Sequence, residues 1–223
     1  MSRLQSFLLL ALLPGSFLFY SCSSQKQASE SGFTEIFNGE NLEGWLGNKE
    51  SYRAESGMIV IDPQGGGGGN LYTEREYGDF ALRFEFQLTP GANNGLGIHT
   101  PLEGDAAYVG KEIQILDNTA EKYAELKEYQ FHGSVYGVIP AKQGYLKPVG
   151  EWNRQEVIVK HPYIKVILNG ETILEGDYLK ASEDGTLDHK EHPGLKRDHG
   201  HIAFLGHGDV VRFKNIRIKE LKK

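Results

Sequence analysis

The 223-residue chain reads as an all-β protein, a two-sheet antiparallel sandwich or jelly roll. Three observations predict this: short apolar runs recur along it, turns rich in Gly, Pro and Asn separate them, and strands do not alternate regularly with helices. The clearest run, Phe80–Leu88, alternates apolar with small or polar residues throughout, so it predicts a strand buried on one face with Arg83 and Glu85 on the other. Residues 157–168 hold two β-branched runs separated by His161-Pro162. Asn169-Gly170 then joins 166–168 to 172–174, a hairpin signal because both turn residues tolerate positive φ. Further strand runs lie at 58–61, 96–99, 133–138, 202–205 and 211–218. Only 119–128 has a helical composition, and its weak apolar stripe predicts a short surface helix. Five consecutive glycines, Gly65 to Gly69, lack the following helix and Lys-Ser/Thr of a phosphate loop and predict a hairpin loop.

The first 21 residues read as an export signal: Arg3, an apolar run from Phe7 to Tyr20 interrupted by Pro14-Gly15, then small Ser21. The run is too short and broken for a spanning helix, which needs about 20 apolar residues. Cys22, the only cysteine, follows it directly and resembles the lipidated cysteine of a bacterial lipobox, although Phe19 and Tyr20 are larger than usual there. Residues 22–32 then form a polar tether, and 33–223 a single sandwich domain that must hold without disulfides. The expectation is an exported lipoprotein at the periplasmic face or outer membrane of a Gram-negative cell, held to the membrane by its lipid alone. The formal net charge of −6 and the absence of a basic stripe argue against a nucleic-acid partner.

Residues 111–117 carry the strongest chemical signal, because Glu112, Gln114 and Asp117 punctuate an otherwise apolar strand. Strict alternation places Glu112, Gln114 and Leu116 on one face and Asp117 on the other. A β-bulge after Gln114 would turn Asp117 to the face of Glu112, and two carboxyls on one face are what glycosidic-bond chemistry commonly uses. Solvated polar residues on an outer strand face would give the same pattern.

Several segments together resemble the 3-keto-disaccharide hydrolase family: 36–45 (IFNGENLEGW), 77–86 (YGDFALRFEF), 90–98 (PGANNGLGI), 112–117, 147–153 (KPVGEWN), 168–170, and 200–218 from Gly200-His201-Ile202 to Ile216-Arg217-Ile218. The resemblance implies a concanavalin-A-like sandwich and a substrate already oxidised to a ketone at C3 of the sugar. Related glycosidases carry E-x-D-x-x-E on the corresponding strand, whereas here an amide, Gln114, replaces the middle acid. That substitution weakens ordinary double displacement and leaves proton-transfer chemistry intact.

A C3 ketone acidifies the C2 hydrogen, so a base at C2, a donor at the C3 oxygen and an acid at the leaving oxygen would cleave the bond by β-elimination. The assignment is Glu112 as base, Asp117 or a histidine as acid, and His207 with Gln114 near the ketone. His207 lies between Gly206 and Gly208 at a strand end, which leaves its imidazole accessible; a turn histidine capping the strand is the alternative. His99, Arg83, Glu85, Tyr136 and Trp152 are further candidates for substrate binding. His189, His192, His199 and His201 match no zinc spacing; a divalent cation serving as electrophile stays open. Two other functions fit the same sandwich, a non-catalytic carbohydrate-binding module and a conventional laminarinase-like glycosidase.

Overall fold

Alternating apolar residues of the predicted strands meet in one core. The computed structural model describes residues 32–61 and 68–222; the signal segment, Cys22 and most of the glycine run lie outside them. Among the described residues the strands form two antiparallel sheets. The larger is ordered β11 (Glu171–Asp177), β10 (Tyr163–Leu168), β9 (Trp152–Lys160), β6 (Phe80–Leu88), β13 (Val211–Glu220), β4 (Met58–Ile61) and β3 (Tyr52–Glu55), with β1 (Thr34–Glu35) also on β13. The smaller runs β2 (Trp45–Gly47), β5 (Gly69–Tyr77), β12 (Gly200–Gly206), β7 (Asn93–Thr100) and β8 (Lys111–Leu116).

The inner faces carry the aromatic load. Phe80, Leu82, Phe84, Phe86 and Leu88 of β6 are buried, while Arg83, Glu85 and Gln87 between them are only half-buried. Phe204 from the smaller sheet stacks on Phe213 from the larger with centroids 3.9 Å apart, and Phe84 meets both rings. This contact locks the two sheets face to face. Asn169 (φ 53°) and Gly170 (φ 98°) form the predicted turn between β10 and β11.

Three local expectations give way. β7 and β8 pair without a register shift, so the bulge after Gln114 is absent. Residues 119–128 form no α-helix: the 3₁₀ turn Glu121–Tyr123 lies within them and a second, Glu128–Gln130, starts at their last residue; a weak apolar stripe supplies too little burial to support a full helix. The short α-helices are instead α1 (Ala106–Val109), capped by Asp105, and α2 (Tyr178–Ala181), capped by Asp177. Residues 133–138 are no strand, because Gly133 and Gly137 take positive φ and fold the segment into turns. They still satisfy the free edge of β8: Gly133 N donates to Gln114 O (2.8 Å), Gln114 N to Ser134 O (3.1 Å) and Tyr136 N to Glu112 O (2.9 Å).

Candidate active site

The alternation of β8 decides what faces the cleft. Ile113 and Ile115 enter the core, which turns Glu112, Gln114 and Leu116 to the outer face of the smaller sheet. On that face Ala106 of α1 packs with Tyr72, Ala203 and Leu205, so the helix lies over the sheet beside β8. Between them opens a cleft of ≈ 220 Å³ whose floor is Glu112, Gln114, Leu116 and Asn93. Asp105, Ala107 and Tyr108 form one wall, Tyr123, Leu126, Gln130 and Tyr136 contribute from the segment after β8, and His207 adds an imidazole.

The floor is polar, buried and unsatisfied. Glu112 is 5% and Gln114 7% exposed, yet Oε1 of each, and Asn93 Oδ1, have no hydrogen-bond partner among the described residues. Such atoms cost free energy unless a ligand satisfies them. Gly95 on β7 makes room for the carboxyl, since a methyl group there would overlap Glu112 Oε1. Burial, reinforced by the negative charge of Asp105, pushes the Glu112 carboxyl up to about 8, so it holds its proton at neutral pH. His207 is surface-exposed, and loss of hydration beside the cleft outweighs Asp105 and Asp209 to lower its pKa, so it is mostly neutral there.

The remaining sequence candidates lie elsewhere. Asp117 does not line the cleft. Its Oδ2 accepts from Gly91 N (2.8 Å), and its Oδ1 from Thr119 N (3.0 Å) and Thr119 Oγ1 (2.6 Å), which ties two loops together. Burial pushes its pKa up, but these bonds and Lys122 outweigh it and hold the carboxyl below its ordinary value. With no bulge to turn it, Asp117 is a loop clamp, and Asp105 supplies the cleft's second carboxyl. Arg83, Glu85 and Trp152 stand on the outside of the larger sheet, across the core from Glu112; Arg83 pairs with Glu156 (3.2 Å) and Lys214 sits 3.8 Å over the Trp152 ring.

His99 is fully buried. Its Nδ1 and Nε2 face the carbonyls of Arg197 (3.1 Å) and Gly78 (2.9 Å), and its ring meets Phe80 edge-on. Of those binding candidates only Gln114 and Tyr136 line the cleft. The C-terminal histidines do not form a metal centre: His192 pairs with Asp188, and His199 and His201 approach Glu76. Among the described residues no group of three or more His, Cys, Asp or Glu is placed to share a metal ion.

The sequence reading missed Asn93, Asp105, Tyr108, Tyr123 and the space made by Gly95. One signal was available: Gly95 and Gly97 recur at a period of two on one strand face, which marks a close approach from above.

The domain family described as 3-keto-alpha-glucoside-1,2-lyase-like matches residues 32–219, nearly the whole described chain. The chain belongs to this family. A Bacteroides thetaiotaomicron relative called a 3-keto-disaccharide hydrolase is 28% identical over 89% of this chain and 82% of its own. A crystal structure from Parabacteroides distasonis ATCC 8503, named for a glycosyl hydrolase, superposes with a TM-score of 0.74 at 30% identity, covering 85% of this chain and 99% of that one. The exoplasmic domain of VIP36, bound to Ca²⁺ and a mannose oligosaccharide, shares the sandwich alone, with a TM-score of 0.54 at 12% identity over 86% of this chain and 89% of its own. Membership of the 3-keto-glucoside family makes the chain carbohydrate-active, a glycoside-cleaving protein at family level, on a lectin-like sandwich.

Proposed function

We propose that this chain cleaves the glycosidic bond of 3-keto-glycosides by removing the C2 proton and expelling the C1 oxygen. The observation that carries this reading is the buried Glu112 carboxyl on the cleft floor, its pKa raised to about 8 and its Oε1 without a hydrogen-bond partner among the described residues, with the imidazole of His207 lining the same cleft. The proton inventory reverses the roles expected from sequence. His207 takes the C2 proton, and the C–H electrons pass through the enolate to form the C1–C2 double bond as the C1–O bond breaks. Glu112 gives its proton to the departing oxygen. The product is an enone, and water adding across C1–C2 makes the net reaction a hydrolysis without change of oxidation state. Among the described residues no group of three or more His, Cys, Asp or Glu is placed to share a metal ion, and each step here is carried by protein side chains.

Direct hydrolysis of an unoxidised glycoside has Asp105 in its favour, since it adds a second carboxyl to the same cleft. A matched pair of substrates separates the readings: a 3-keto-glucoside and its unoxidised parent, with aglycone release followed for each. Release from the keto compound alone supports elimination, release from both supports direct hydrolysis, and release from neither defeats both. The sequence features around Cys22 support the further reading that the domain from residue 33 onward acts as an exported lipoprotein at the periplasmic face or outer membrane of a Gram-negative cell. Palmitate labelling of the full chain and of Cys22→Ala tests it.

A further inference from the structure

The mechanism above needs a donor at the C3 oxygen, and the cleft wall opposite the sheet supplies a tyrosine with an unusual neighbour. Tyr108 of α1 lines the cleft, and Lys190 Nζ donates to its hydroxyl at 2.9 Å. An ammonium bound to the phenol oxygen draws electron density from the O–H bond and makes it a stronger hydrogen-bond donor. No described residue accepts the Tyr108 proton, so that donor is available to a ligand.

The phenol is also held in place. Its ring packs on His192 with centroids 4.8 Å apart, and His192 Nε2 lies 3.1 Å from both Asp188 oxygens. Asp105 caps the helix that carries it, accepting from Ala107 N through its side chain and from Tyr108 N through its carbonyl. A donor fixed before the substrate arrives needs no reorganisation when charge develops, which is the condition for effective stabilisation of an oxyanion. The bond to Tyr108 also raises the pKa of Lys190, which therefore stays cationic across the working range.

We propose that Tyr108 is a catalytic residue that donates to the C3 oxygen of the keto sugar and stabilises the enolate, and that Lys190 is the positioning residue that polarises it. The inference rests on the cleft reading given above. As the C2–H bond breaks, the electron pair is delocalised onto the C3 oxygen, and the Tyr108 hydroxyl holds that charge by a hydrogen bond without losing its own proton. The carbonyl reforms when the C1–O bond breaks.

The test uses the full chain and its Tyr108→Phe, Lys190→Met and Lys190→Arg variants on a 3-keto-glucoside in deuterated water. Exchange of the C2 hydrogen, aglycone release and equilibrium affinity are read separately. Removing one oxyanion donor is expected to slow C2 exchange and release together by about 100-fold in Tyr108→Phe. Affinity for the keto sugar should change far less, because the strong bond forms only as the enolate does. Lys190→Met should fall in the same two rates and Lys190→Arg should recover most of the loss, a rescue that simple loss of packing would not give. If Tyr108→Phe exchanges C2 within about threefold of the wild type, well short of the loss expected for an oxyanion donor, the Tyr108 assignment is overturned while the cleft reading stands. If the wild type itself neither exchanges C2 nor releases aglycone, the cleft reading fails and this assignment falls with it.

Discussion

Glu112 shows how one residue can be set for proton transfer by its surroundings. In the folded chain its carboxyl keeps a proton up to about 8, against an ordinary value of 4.5, so the folded state binds a proton that the unfolded chain gives up between those limits. Stability is therefore lost as pH rises through this window, at about 1.4 kcal/mol per unit of pKa difference. Glu112→Gln cannot ionise and should melt well above the wild type at pH 8 and close to it at pH 4, in thermal scans at both pH values, while losing most of its turnover. Asp105→Asn should keep the helix cap, because asparagine caps as well as aspartate, and should shift the alkaline limb of the pH–rate profile to lower pH by removing the charge that raises Glu112. Asp117 works in the opposite sense. Its depressed pKa contributes stability at neutral pH that is lost only as pH falls through the acid range below its ordinary 3.8. Asp117→Ala leaves three donors unmatched and should cost about 2–3 kcal/mol in denaturant melts, with turnover per folded molecule preserved.

At the scale of the element, the cleft is a product of strand pairing. β8 would be a bare edge of the smaller sheet, but residues 133–136 bond along its free side and bring Tyr136 beside Glu112. Burial and the neighbouring phenols raise the Tyr136 pKa, so it stays a neutral donor in the cleft wall. On the other side of β8, Gly95 leaves the space that the Glu112 carboxyl fills. Gly95→Ala needs no change of backbone conformation, yet its methyl must displace Glu112; it should fold and lose activity on the keto substrate by at least about tenfold, a loss typical of a small misplacement of reacting groups. Circular dichroism beside the activity assay separates that outcome from misfolding.

The elements also show how far sequence patterns reach. The alternation of Phe80–Leu88 and the Asn169-Gly170 turn specify local structure completely, because side-chain period and turn chemistry act within a few residues. The same alternation put Glu112, Gln114 and Leu116 on one face. It could not tell which sheet a polar face belongs to. Arg83 and Glu85 share the strand signature of a cleft floor but stand on the opposite outer surface, since topology decides this and not period. Asp117 stands off the cleft because a bulge is a tertiary event, set by the partner strand, and β7 pairs with β8 without one. Tyr108 was invisible because a four-residue helix leaves almost no periodic trace.

Across the whole molecule, the two sheets divide the work. The aromatic interface of Phe84, Phe204 and Phe213 supplies rigidity, the larger sheet turns paired charges to solvent, and the smaller sheet holds the cleft. Phe84→Ala should cost about 3–5 kcal/mol and loosen both sheets together, read as one cooperative unfolding transition at lower denaturant. The central claim is that this scaffold presents an acid and a base to the C1–C2 bond of a keto sugar. Its most direct test is proton NMR of the sugar released from a 3-keto-glucoside in deuterated water, with an enzyme-free control for spontaneous exchange. Elimination followed by water addition places deuterium at C2 of the product at the rate of aglycone release, and an enone intermediate should be trapped at short times. A product that keeps its original hydrogen at C2 would contradict the account.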